Sequence, residues 1–282
     1  MSFEKSPTTV REGDKAIADP LENLPKRKPR QLKTWQWSII SLATTIVAWW
    51  LVVALFNPAE YILPSPLAVA ERLWESHALL LENAVPTIAI ILVGFAIGLL
   101  VGVPAGMCIA AVPLFDRMFY PLIIAFNSVP KVALAPLFVV WFGYGATPRV
   151  VITFSIAFFP ILVNTITGLR SADDDMVRLA RSMGASTWRT FVKVRLPHAL
   201  PSIFAGTKVA TSLAVIGGII GEFVASDKGW GYLLIQAQGN LDTTLIFAIL
   251  VLLAAFATIL FYLVELIERL AIPWHASQRV SK

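Results

Sequence analysis

Five cations crowd into Arg178–Pro197, RLARSMGASTWRTFVKVRLP: Arg178, Arg181, Arg189, Lys193 and Arg195, in a chain that is otherwise apolar. The rest of the chain offers little for catalysis. No G-x4-G-K-[ST] run occurs, so no nucleotide-binding site is visible. His77, His198 and His275 are scattered, and the single cysteine, Cys108, cannot close an internal disulfide. No cluster has metal-ligand spacing, so neither metal nor cofactor is expected, and a membrane enzyme is poorly supported.

The basic segment has a local logic. Asp173, Asp174 and Asp175 put negative charge at the positive end of a helix. Met176, Leu179, Ala180 and Met183 then give the next turns an apolar face. Gly184 is well placed to stop that helix, and Ser186 or Thr187 can start another, which Leu196-Pro197 ends. Helix, turn, helix is the expectation. A merely solvated basic loop would need neither the face nor the turn.

Further polar groups sit inside apolar runs. Asn127-Ser128-Val129-Pro130-Lys131 is followed by Ala135-Pro136. Prolines remove helical hydrogen bonds, and freed carbonyls at membrane depth are tolerated only beside protein or a wet cavity. Lys131 would be costly against lipid. Two readings stay open: a residue lining a pathway and attracting anions, or a lysine snorkelling to the interface. Glu222 follows the thin Gly217–Gly221 segment and either lines an outer gate or reaches water. Lys208 lies fourteen residues before it, too far to pair within one helix. Thr153, Asn164 and Thr165 read as interhelical glue.

These groups need elements to position them, and the composition says which. Hydrophobic residues make up 57% and charged residues 15%, against about 25% charged in soluble domains; mean hydropathy is +0.72. Six runs reach the roughly 20 residues that cross a bilayer: Ser38–Phe56, Pro86–Val112, Pro121–Phe142, Arg149–Gly168, Pro201–Ala225 and Thr243–Ile267. The first is too long for a signal-peptide core and lacks a cleavage site. With the N-terminus cytoplasmic, 18 of the 23 Lys and Arg fall on that side, and only Arg72, Arg149 and Lys228 on the other. That split puts both termini and the Arg178–Pro197 loop in the cytoplasm.

The tail 1–33 is expected to be mobile, and its Lys26-Arg27-Lys28 cluster reads as an anchor on anionic lipid, not a nucleic-acid site. Pro64–Glu82 reads as an external amphipathic helix opened by Ser65-Pro66. Gly94, Gly98, Gly102 and Gly106 form a smooth stripe for close helix approach. Packing within the chain is the first reading of that stripe, and a dimer interface the second.

From Ala180 the spacing continues to Gly184, then nine residues to Val194, then Leu196-Pro197. This resembles the EAA loop of ABC importer permeases, E-A-A-x3-G-x9-I-x-L-P, although Arg178 and Leu179 replace the Glu-Ala that opens the pattern and Val194 replaces Ile. Pro130–Phe138, Trp141-Phe142-Gly143, Gly221-Glu222-Phe223, Gly229–Leu233 and Pro273-Trp274-His275 resemble the nitrate/sulfonate/taurine group, and the first of these is also similar to permeases for pyrimidine thiamin precursors and riboflavin. The resemblance implies an all-α membrane protein of six transmembrane helices, a type I ABC importer permease. Its domain would run over 34–275, with a coupling loop at 169–200 between cytoplasmic tails at 1–33 and 276–282.

The implied partners are a cytoplasmic ABC ATPase, an external or periplasmic solute-binding protein, a second permease copy and membrane lipid. The implied location is a bacterial inner membrane. Arg178, Leu179, Ala180, Gly184, Ala185, Val194, Leu196 and Pro197 would meet the ATPase. Asn127, Pro130, Lys131, Pro136 and Glu222 would line the pathway for a small anion such as a sulfonate, taurine or nitrate, or else for a vitamin precursor. A non-transporting scaffold or a channel would explain six spans but not the ordered basic loop.

Overall fold

The computed structural model describes residues 34–273, and every regular element among them is a helix. The tails 1–33 and 276–282, with Lys26-Arg27-Lys28, lie outside the described residues, as do Trp274 and His275. In chain order the helices are α1 (Thr34–Phe56), α2 (Pro66–Glu75), α3 (His77–Ala111), α4 (Pro113–Ser128), α5 (Ala135–Phe142), α6 (Ala146–Arg170), α7 (Asp174–Ser182), α8 (Thr187–Thr190), α9 (Leu196–Ala225), α10 (Trp230–Gly239) and α11 (Thr243–Ala271). A 3-10 turn, Lys131–Leu134, joins α4 to α5, and a π turn, Phe191–Arg195, joins α8 to α9.

Five helical stretches are long and apolar enough to cross a membrane: within α1, α3, α6, α11 and the continuous Thr187–Ala225. The expected third span is not one helix. It breaks into α4 and α5, bent by 82°. Pro130 opens the break and Pro136 falls in the first turn of α5, where a missing N–H costs nothing. Pro136 thus starts a helix instead of interrupting one. Asp116, early in α4, is ion-paired with Arg170 at the end of α6, whereas α5 leads through Gly143 and Gly145 to the start of α6. The broken pair therefore traverses the length of α6, about 37 Å for its 25 residues, and serves as the sixth crossing.

The amphipathic segment also differs from expectation. Ser65 caps α2 through its hydroxyl and Pro66 follows, as the sequence suggests, but the helix stops at Glu75. His77–Glu82 already belongs to α3, which runs on through Pro86. Val69 is buried and Leu73 packs on the main core, so α2 is held by packing. Arg72 also reaches Asp242 at 2.6 Å, just ahead of α11.

At the centre α6 lies between α3 and α9. A Cβ placed on Gly94, Gly98, Gly102 or Gly106 would meet Thr153, Ala157, Ile161 or Thr165 respectively. Both sets step by four, so one row runs along the other. The stripe is therefore an intramolecular seam. From the other side Gly206 faces Asn164 and Gly217 faces the Thr153 backbone. Thr153, Thr165 and Asn164 do not bridge helices as expected. Each donates to the carbonyl four residues back, at 2.7–2.8 Å, the nearest acceptor to a hydroxyl or amide on a helix. Their aliphatic atoms make the contact.

The seam predicts a graded response. A Cβ on Gly98 would lie 3.6 Å from its neighbours, but one on Gly94 would lie 2.5 Å from Thr153. Gly98→Ala should match or slightly exceed the wild type in detergent melting, since Ala gains up to about 1 kcal/mol of helix propensity. Gly94→Ala should melt lower, overpacking costing about 1–3 kcal/mol. Equal melting of the two variants would show that the seam is not tight.

Candidate functional site

The loop after α6 is ordered by its own side chains. Asp173 caps α7, its carboxylate accepting from the Asp175 N–H at 2.9 Å. At the other end Ala185 N–H reaches the Ala180 carbonyl at 3.0 Å and Gly184 N–H the Arg181 carbonyl at 2.9 Å. This pair of bonds is a Schellman stop, with Gly184 in the left-handed region at φ 82°. A Cβ there would touch nothing, so left-handed backbone is what requires glycine, and close packing within the chain is not. Ser186 then caps α8, accepting from the Arg189 N–H.

One expectation about the loop is corrected. Leu196-Pro197 does not end the second helix. Leu196 N–H bonds five residues back to Phe191, Pro197 has no N–H to give, and the chain continues as helix to Ala225. The face of α7 turned inward is that of Val177, while Leu179 is 57% and Met183 79% exposed, with Met176 also exposed. Arg178 stands beside them, in a loose i,i+3 pair with Asp175. Ala180, Ala185, Val194, Leu196 and Pro197 are half-buried. The result is an apolar, unpaired knob next to a fixed turn.

At the α4–α5 break, Lys131 Nζ donates to the Asn127 carbonyl at 3.0 Å and to its side-chain oxygen at 3.3 Å, and lies 4.4 Å from the Phe159 ring centroid. Its ammonium caps one carbonyl in the last turn of α4, where a cation is favoured. Asn127, Pro130 and Lys131 are brought together at the break, with Pro136 one turn further on.

Glu222 belongs to a different cluster. It is 1% exposed, so its carboxylate neither reaches water nor lines an open gate. Thr87 donates to one oxygen at 2.7 Å and the Gly231 N–H to the other at 2.6 Å. The Thr87 oxygen in turn accepts from the Trp230 N–H at 2.8 Å, and Asn83 accepts from the Gly229 N–H at 2.7 Å. Three successive backbone donors at the start of α10, which no helix can satisfy internally, are thus met by side chains of α3 and α9. Gly229, at φ 109°, leaves the carboxylate its space.

The fold is shared with known proteins. Residues 94–272 match the family described as "Binding-protein-dependent transport system inner membrane component". The chain is also 36% identical over 254 residues to the riboflavin transport system permease protein RibX of Chloroflexus aurantiacus, covering 88% of this chain and 95% of the relative. The chain belongs to this family of transport permeases. It is 33% identical to the formylaminopyrimidine transport permease protein ThiX of Halalkalibacterium halodurans, over 81% of this chain and 92% of that protein. It is 28% identical to the taurine transport system permease protein TauC of Escherichia coli, over 89% and 96%. The inward-facing MetNI methionine ABC transporter shares the fold, with a TM-score of 0.60 at 22% identity, covering 69% of this chain and 97% of that one.

Several residues of the permease were invisible as sites in the sequence. Asn83 and Thr87 read as unremarkable positions near the start of a span. Lys208, noticed as a charge in an apolar run, pairs with Glu268 of α11 at 2.7 Å, a partner that nothing in the sequence marked. Arg149, which reaches Ser226 at 2.7 Å, was seen only as one of the three cations of the minority side.

The Glu222 cluster yields a test. Glu222→Ala strands the Gly231 N–H, which costs about 1–3 kcal/mol when buried without a partner, while the Thr87 hydroxyl can still donate to the Asn83 carbonyl. The variant should melt lower in detergent and be cleaved faster by protease between Ser226 and Asp242. Glu222→Gln, which keeps one acceptor, should fall between. Wild-type melting and cleavage in Glu222→Ala would end the stapling role.

Proposed function

We propose that this importer permease pairs with a second copy, takes an ABC ATPase on its Arg178–Pro197 loop, and passes a planar heteroaromatic solute of the riboflavin or pyrimidine-precursor kind inward by alternating access. The observation that carries the docking assignment is the left-handed Gly184 beside exposed Leu179 and Met183. An apolar knob on a fixed turn is what a partner can grip and push. The charge distribution favours a cytoplasmic loop, the side on which ATP is hydrolysed. The substrate class is favoured by the higher identity to the riboflavin and formylaminopyrimidine permeases than to the taurine permease. A small organic sulfonate is the second reading, favoured by the cation at the α4–α5 break.

Deleting the gene in its host and measuring uptake tests both levels. Labelled riboflavin or pyrimidine uptake should fall and taurine uptake should persist; the reverse assigns the sulfonate class. Loss of neither removes both substrate readings. In complementation, Gly184→Val should insert normally yet restore no uptake, because a β-branched residue in left-handed backbone costs roughly 1–2 kcal/mol and displaces the knob. Gly184→Asn, which tolerates that conformation, should restore most of it. Full coupled uptake by the valine variant would show that the ATPase docks elsewhere.

The break is the other element assigned to the pathway. Freed backbone and a cation at one bend are costly against lipid, which supports their facing the route. Lys131→Met should lower uptake while the ATPase still copurifies, and Lys131→Arg, which can still cap Asn127, should retain more. Unchanged uptake kinetics in the methionine variant would remove Lys131 from the route.

A further inference from the structure

Lys208 of α9 and Glu268 of α11 meet at 2.7 Å, with only 24% and 12% of their side chains exposed. Arg269, the next residue, is taken by Glu265 at 2.5 Å, so Lys208 is the cation that holds Glu268. Lys208 Nζ meets no other acceptor among the described residues and lies 5.9 Å from the Phe261 ring centroid. Withdrawing two charges from water is expensive, one contact does not fully offset it, and an apolar pair of similar size often folds as well or better. Folding alone does not account for this pair.

The surrounding surface shows what the pair adds. Ala210 and Ala214 of α9 share a buried apolar cluster with Leu260 and Val264 of α11. Yet α11 contains no glycine. On α9, Gly206, Gly217, Gly218 and Gly221 face Asn164, Thr153, Ile91 and Arg149, none of them on α11. The glycine seam that fixes α6 against its neighbours is therefore missing between α9 and α11. A contact of apolar side chains in lipid gains little from one register over the next, whereas a buried polar pair selects one.

The pair also sits where register has consequences. Along the helix it is roughly 32 Å from Thr187 at the loop and roughly 21 Å from Glu222. At the far end of α11, roughly 39 Å from Glu268, Asp242 holds Arg72 of α2 at 2.6 Å. One ion pair thus ties α11 at each end, and the Lys208 pair is the tie to the helix that begins in the loop.

We propose that Lys208 and Glu268 are positioning residues for transport: their pair holds α11 in one register on α9, so that a displacement of the Thr187–Ala225 helix carries α11 with it. The pair serves coupling and is dispensable for folding. The proposal rests on the transport reading above for its link to uptake, and on geometry alone for the register.

Lys208→Met with Glu268→Leu removes both charges at similar volume. In detergent the full-length double variant should melt at or above the wild type, whereas Lys208→Met alone leaves Glu268 buried without a partner and should melt lower. Register is read as a distance between spin labels at Ile216→Cys and Leu270→Cys, both exposed positions, in a Cys108→Ser background. The parent chain should give one narrow distance, and the double neutral variant should broaden it by about 5 Å, the rise of one turn. In complementation the double neutral variant should take up labelled riboflavin roughly tenfold more slowly than wild type, the scale of a lost coupling between sites, with the ATPase still copurifying. The reversed pair, Lys208→Glu with Glu268→Lys, should recover most of the uptake and the narrow distance.

An unchanged label distance in the double neutral variant would overturn the proposal, as would wild-type uptake by that variant. A double variant melting as low as Lys208→Met would reduce the pair to a folding element and overturn it equally. If the wild type itself restores no riboflavin uptake, the solute reading falls alone, and the label distances still decide the pair.

Discussion

Helices in lipid gain little by hiding apolar side chains from one another, because the lipid is as apolar as they are; what holds them is close contact. In this permease the contact is made along α6. Thr153 stands against Gly94 on one side and Gly217 on the other, Thr165 against Gly106, and Asn164 against Gly206. Small residues on α3 and α9 let α6 approach until its backbone and β-carbons form the interface. Each polar side chain at the seam first satisfies a carbonyl of its own helix and then presents carbon to the neighbour. Without that approach neither outer helix would have a fixed distance from α6, and the clusters built between them would lose their geometry.

The Glu222 cluster depends on it most directly. Thr87 on α3 and Glu222 on α9 are brought within 2.7 Å, which requires both helices to hold their places beside α6. Once they do, the first N–H groups of α10 find three acceptors in fixed positions. The α4–α5 pair follows a different rule. Its prolines prevent a continuous ladder, so it turns by 82° and uses Lys131 to close the end of α4. One part of the permease is over-determined by packing, and the other is held by a few local bonds. That difference suits a machine in which one element must move against a scaffold.

The sequence made much of this legible, for identifiable reasons. Apolar runs, the four-residue glycine stripe and the Asp173 and Gly184 caps are local patterns, and each maps to a local physical requirement. The broken span was signalled by Pro130 and Pro136, but not its sense: whether a proline interrupts a helix or opens the next depends on where the preceding helix stops. The π turn left no trace, because Leu196-Pro197 reads as a terminator when only the missing N–H is considered. Glu222 was noticed as a charge in an apolar run, either lining an outer gate or reaching water. Its true surroundings come from Asn83 and Thr87, more than a hundred residues away, and no pattern within a window can show that. The apolar face of Met176, Leu179 and Met183 was legible as a pattern, but not that this chain itself meets α7 on the side of Val177.

The continuity of Thr187–Ala225 gives the permease a mechanical link that separate helices would lack. Its 39 residues would span about 58 Å if straight, from the capped loop at one end to Glu222 near the other. A displacement imposed at α8 has no flexible linker in which to dissipate. It meets only the π turn, a single widened turn of the kind often found at functional positions. At the far end Glu222 holds the Gly231 N–H directly, so a rotation of α9 must carry the start of α10 or break a buried bond. On the proposed docking of an ATPase at the loop, a force applied there would reach the Glu222 end as a change in whether α10 stays stapled. The intervening Lys208–Glu268 pair makes α11 a party to the same rotation.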